Sequence, residues 1–69
     1  MSSRITVLIR NHPAGGVVIE NAPKDRTEYF LQFAKAIDER LATLTVKDVD
    51  GDYFVFVPSE IQGFTIEGL

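Results

Sequence analysis

The chain has no cysteine. Disulfides and thiolate metal sites are therefore excluded, and a reducing cytosol is the natural compartment. Histidine is nearly as scarce. His12 is the only one, and no carboxylate stands beside it at metal-ligand spacing, so it reads as a loop residue. Positive charge is also short: seven Lys and Arg face ten Asp and Glu, a net charge of −3. Neither a nucleic-acid backbone nor an anionic membrane is expected as the main partner. No apolar run approaches the roughly 20 residues of a membrane span. Met1-Ser2-Ser3-Arg4 leads into a short strand-like run ending at Arg10, which does not read as a secretory signal.

Size is the last deficit. A chain of 69 residues is one domain, and scaling gives it roughly 11,000 Å² of surface unfolded and roughly 4,300 Å² folded, about 61% buried. Domains this small usually add disulfides, metals or association. With no cysteine, association is the device left.

What is present reads as an α+β domain over residues 1–69, of order ββαβββ. Ile5-Thr6-Val7-Leu8-Ile9 is a β-branched strand. Asn11 to Gly16 is turn chemistry, and Val17-Val18-Ile19-Glu20 returns as a hairpin partner. Asp25 is a good N-cap with Glu28 three residues on, and Phe30, Phe33, Ala34, Ile37 and Leu41 recur at helical spacing, which predicts a helix over about 26–42. Thr43 to Val49 and Tyr53 to Val57 form a second hairpin around Asp50-Gly51. Residues 58–63 bend, and Phe64-Thr65-Ile66-Glu67 alternates as a short last strand. The expected architecture is one mostly antiparallel, five-stranded sheet with a single amphipathic helix on one face.

The most informative run is Tyr53-Phe54-Val55-Phe56-Val57, bulky and apolar at every position. A strand with one buried face alternates; a continuous run wants both faces out of water. A two-residue turn at Asp50-Gly51 would place Leu44, Val46, Val55 and Val57 on the helix side and turn Phe54 and Phe56 outward, beside Leu8 and Val18. One helix covers only part of one face, so Phe54, Phe56, Leu8 and Val18 are the expected interface. An odd loop or a bulge would reverse this parity.

Chemical motifs are sparse. Asp48-Val49-Asp50-Gly51-Asp52 resembles a calcium loop but lacks the glycine and glutamate positions of an EF-hand. Gly15-Gly16 reads as a turn, and Ser2, Ser3 and Ser59 have no nucleophile-elbow context. No catalytic residue, cofactor site or metal site is expected.

The residues Arg4-Ile5-Thr6-Val7, Val18-Ile19-Glu20-Asn21, Leu44-Thr45-Val46-Lys47-Asp48 and Val55-Phe56-Val57-Pro58-Ser59-Glu60-Ile61, with Phe64-Thr65-Ile66-Glu67 at the end, resemble a small actinobacterial domain of unknown function. The resemblance covers most of the chain, rests on hydrophobic pattern and one Val-Pro, and implies no activity. A bacteriophage accessory protein is an equal source for an acidic, cysteine-free chain of this length. The functional expectation is a cytoplasmic, non-catalytic protein-interaction module, a homodimer or higher homo-oligomer, with no cofactor. The rival is an RNA- or nucleotide-binding module using basic residues around Arg10 and Arg26.

Overall fold

Buried and outward positions alternate along β1 (Ser3–Ile9): Ser3, Ile5 and Val7 point inward, while Arg4, Thr6 and Leu8 point away. In the computed structural model, which describes residues 1–69, β1 is the central strand of a three-stranded antiparallel sheet between β2 (Gly16–Ala22) and β5 (Ile61–Gly68). The first hairpin is drawn tight at Gly16, where a Cβ would meet the Val7 carbonyl oxygen at 2.5 Å. Ser3 pairs with Ala22 but Ile5 pairs with Ile19, so β2 carries one extra residue over that step. This bulge lets Ile19 and Ala22, three positions apart, both reach the core.

The helix α1 (Arg26–Asp38) starts as its sequence suggests, with the Asp25 carboxylate accepting from the Thr27 N–H at 3.1 Å. It ends about a turn earlier than the expected residue 42. Arg40 takes a left-handed φ of 54°, the Arg40 N–H donates to the Ile37 carbonyl at 3.3 Å, and the Leu41 N–H donates to that of Ala36 at 3.0 Å. That is a Schellman closure in which arginine occupies the usual glycine position. The stripe that α1 buries is Tyr29, Phe33 and Ala36.

The connector between sheet and helix is held by two side chains. The fully buried Ser3 donates its Oγ hydrogen to the Lys24 carbonyl at 2.8 Å, and the Lys24 N–H donates to the Tyr29 hydroxyl at 3.2 Å. The buried hydroxyls of Ser3 and Tyr29 thereby each have a partner, as burial requires.

β3 (Leu44–Lys47) and β4 (Tyr53–Phe56) form a separate two-stranded sheet, so the single five-stranded sheet is in fact two sheets. The hairpin lays a face, not an edge, against the rest of the molecule. It touches β2 through one backbone bond, Val49 N–H to Asn21 carbonyl at 3.1 Å, and α1 through the Gln32 amide on the Thr45 carbonyl at 2.9 Å. A 3-10 turn at Pro58–Glu60 then sends the chain back to pair β5 with β1.

The parity of this hairpin is the opposite of that expected. Leu44 lies opposite Phe56 and Val46 opposite Phe54. The turn is not the two-residue Asp50-Gly51: the Asp48 N–H donates to the Asp52 carbonyl at 3.0 Å and the Gly51 N–H to the Asp48 carbonyl at 3.1 Å, with Gly51 at φ 89°. The loop is therefore Val49-Asp50-Gly51, a type I turn followed by a left-handed glycine. An odd loop moves every β4 side chain to the other face. Phe56 is 5% exposed and Phe54 packs against the core, whereas Val55 is 63% exposed.

Sheet, helix and hairpin enclose one core: Ile5, Val7, Ile19, Ala22, Tyr29, Phe33, Ala36, Leu44, Val46 and Phe56. Phe33 is its hub, with ring centroids 6.3 Å from Phe56 and 4.9 Å from Phe64. Only 12 of 69 residues are buried, and the 4605 Å² of accessible surface slightly exceeds the scaling value. Much of that surface is apolar.

Candidate functional site

The residues singled out from the sequence scatter over the molecule. Leu8 and Val18 do face away from the helix, each 48% exposed. Phe54 and Phe56 do not join them, because the odd loop turns both rings into the core. The face that Leu8 and Val18 share is largely polar. Arg4, on the central strand, reaches Glu20 on one edge strand at 3.3 Å and Glu67 on the other at 3.8 Å, with Thr6 and Thr65 alongside. The apolar face expected opposite the helix is therefore absent.

The basic residues do not converge either. Arg10 follows β1 and pairs with Glu60 at 3.8 Å, at the end of the sheet where β5 begins. Arg26 lies against Gly68, at the end where β5 finishes. The two guanidinium groups flank opposite ends of the sheet, so they form no single basic patch.

The chemical candidates are occupied with structure. The Asp48 carboxylate accepts from the Asp50 and Asp52 N–H groups at 3.0 and 2.9 Å, which organises the hairpin loop. His12 Nδ1 accepts from the Ala14 N–H at 3.2 Å within the first hairpin loop. No cluster of three or more His, Cys, Asp and Glu side chains is placed to hold a metal ion. No helix is long and apolar enough to cross a membrane.

The surface that stands out lies on the flank of α1. Phe30 and Ile37 are 54% and 42% exposed, on a stripe about 100° around the helix from the buried one, given 3.6 residues per turn, and Leu41, just past the helix end, is 43% exposed. They reach toward β5. The Phe30 ring lies 6.4 Å from that of Phe64, and a groove of about 400 Å³ is lined by Arg26, Thr27, Phe30, Phe64 and Ile66. A second groove, of about 510 Å³, continues along the flank between Ile37 and Leu41 on one side and Val57, Pro58 and Ile61 on the other.

Beside these grooves runs the open edge of β5. This strand pairs with β1 and with nothing else. The Leu69 N–H donates to the Ser2 carbonyl at 2.9 Å, so Ser2 and Leu69 form a hydrogen-bonded pair one step beyond Ser3 and Gly68. Hydrogen-bonded and non-bonded pairs alternate in an antiparallel ladder. Glu67, Thr65 and Gly63 accordingly direct their backbone groups to β1, and Gly68, Ile66 and Phe64 direct theirs outward. The other edge strand, β2, is bulged, and its Asn21 carbonyl is taken by Val49.

The helix stripe was half legible in the sequence. Phe30, Phe33, Ala34, Ile37 and Leu41 stood out as apolar at helical spacing; of these Phe33 is buried, together with Tyr29 and Ala36, which the spacing had not marked. The open edge gave no local signal, since it depends on which strands become neighbours. Set against protein-family models the chain matches none, and no curated protein matches it.

Proposed function

We propose that this chain is a small, non-catalytic protein-interaction module that self-associates through the flank formed by α1 and β5. The observation that carries this reading is the exposed stripe Phe30, Ile37 and Leu41 beside an unpaired strand edge. Monomers tolerate scattered apolar residues, whereas an apolar groove rimmed by polar groups marks a contact surface. Association also answers the thin core of a domain this size. The nucleic-acid reading loses its support once Arg10 and Arg26 lie apart and Arg4 and Arg10 are matched with carboxylates.

The test is sedimentation equilibrium over a wide concentration range, for the wild type and Phe30→Glu. Phe30 lies outside the core, so the variant is expected to fold normally while losing association at least roughly tenfold, about 1.4 kcal/mol. A wild type that remains monomeric at high micromolar concentration defeats self-association.

A further inference from the structure

Resting on that reading, we infer that the partner is a second copy of this chain, joined by antiparallel pairing of the two β5 strands about a two-fold axis through Thr65. Exposed edges template pairing with another chain unless they are guarded by lysine, proline, brevity or a cover. β5 is eight residues long, and Ile61–Gly68 contains no lysine, arginine or proline. Its one irregularity is a bulge near Gln62, where the register with β1 shifts; in an antiparallel pair centred on Thr65 it falls at each end of the shared ladder, away from the central Phe64, Thr65 and Ile66.

A two-fold axis normal to the sheet keeps both helices on the same side and pairs residues that share a face. With Thr65 on the axis, Phe64 meets the partner's Ile66, Gln62 meets the partner's Gly68, and Gly63 meets the partner's Glu67. The outward N–H and C=O groups of Phe64 and Ile66 find each other's acceptors and donors, and the bulge at Gln62 confines the irregular step to the ends, opposite the partner's Gly68. Glu67, the one ionised side chain of the strand, faces a glycine and no like charge. A register centred on Phe64 would instead put that carboxylate against the partner's Ile61. Phe30, 6.4 Å from Phe64, comes close to the axis and faces its own copy. An aromatic anchor at the centre of a patch is where interface energy concentrates.

The area suffices for a weak dimer. The molecule measures 29 × 27 × 19 Å, so one flank offers about 500 Å² and the pair about 1,000 Å², at the lower bound for a specific interface. The expected dimer is concentration-dependent, not obligate, and its sheet is continuous across both copies.

Thr65 supplies a test that spares the monomer, because it is exposed on the polar face and lies outside the core. On the axis its pair is of the non-hydrogen-bonded kind, with Cα atoms about 4.5 Å apart. Thr65→Lys and Thr65→Glu should each weaken association roughly tenfold by placing like charges opposite one another, while an equimolar mixture should recover dimer. Amide exchange read on the wild type should show Phe64 and Ile66 becoming protected as concentration rises, with Thr65 protected throughout.

Thr65→Lys or Thr65→Glu dimerising as well as the wild type, or a mixture that fails to recover, overturns the β5 pairing and leaves self-association standing. A wild type that never dimerises, with Phe64 and Ile66 amides exchanging freely at every concentration, overturns both.

Discussion

Phe56→Ala and Val55→Lys, compared side by side, test the orientation of the β3–β4 hairpin on which the rest depends. Phe56 is 5% exposed and its ring lies 6.3 Å from that of Phe33. Truncating such a core phenylalanine costs about 3–5 kcal/mol, transfer and cavity terms together. At roughly 0.05–0.15 kcal/mol per residue, a domain of this length has about 3–10 kcal/mol in total. Phe56→Ala should therefore remove about 30% of the stability or more, and at the lower end of that range it leaves the chain unfolded. Phe56→Leu offers a graded companion, expected to cost about 1–1.5 kcal/mol. Val55 projects from the outer face of the hairpin, 63% exposed, so Val55→Lys should stay within about 1 kcal/mol of wild type. Urea denaturation followed by far-UV circular dichroism reads both. With a slope near 1 kcal/mol per molar urea, Phe56→Ala should shift the midpoint by about 3 M or more and Val55→Lys by about 1 M or less. The reasoning fails if Val55→Lys unfolds the protein while Phe56→Ala keeps the wild-type midpoint. That pattern would mean a two-residue turn and an inverted hairpin.

Two further substitutions probe the helix and its connector. Arg40→Gly should stabilise by about 0.5–1 kcal/mol, because a left-handed conformation costs a side-chain-bearing residue about 1–2 kcal/mol and glycine returns part of that as unfolded-state entropy; a Tm rise of about 2–8 °C is expected, and a fall would deny the Schellman closure. Tyr29→Phe should destabilise by about 1 kcal/mol and speed exchange of the Lys24 amide, since it strips that N–H of its acceptor; an unchanged Lys24 exchange rate would show the hydroxyl to be idle.

Strand identity was legible wherever burial alternates at period two. β1 buries Ser3, Ile5 and Val7 in strict alternation, so its face could be read directly. β4 defeated the same logic because Tyr53 to Val57 is apolar throughout, and its orientation then hung on the loop length alone. A signal for that length was present: Asp48 stands three residues before Gly51, and its carboxylate caps the amides of Asp50 and Asp52. An aspartate at the first position of a type I turn, with glycine at the following left-handed position, is the three-residue alternative to the simple Asp-Gly hairpin. The helix overran because nothing in its last turn announces a stop: the closing residue is Arg40, where glycine would have marked the end. The exposed apolar flank was hidden for a different reason. Apolar residues fall on two stripes of α1, and periodicity cannot rank Tyr29, Phe33 and Ala36 above Phe30 and Ile37 until the sheet and hairpin are placed.

The placement of β1 between β2 and β5 gives its two ladders different histories. The ladder with β2 closes a short local turn, a step whose entropic cost is small. The ladder with β5 joins Ser3 to Gly68 and so encloses almost the entire chain. Loop closure and contact order both make that second ladder the slow one. The hairpins and helix can form while the far side of β1 is still bare, and β5 arrives as the closing piece. Until it docks, Ile5 and Val7 have lost a neighbour on that side and the Phe33 hub lacks Phe64. The strand that presents an open edge is thus also the strand that completes the fold.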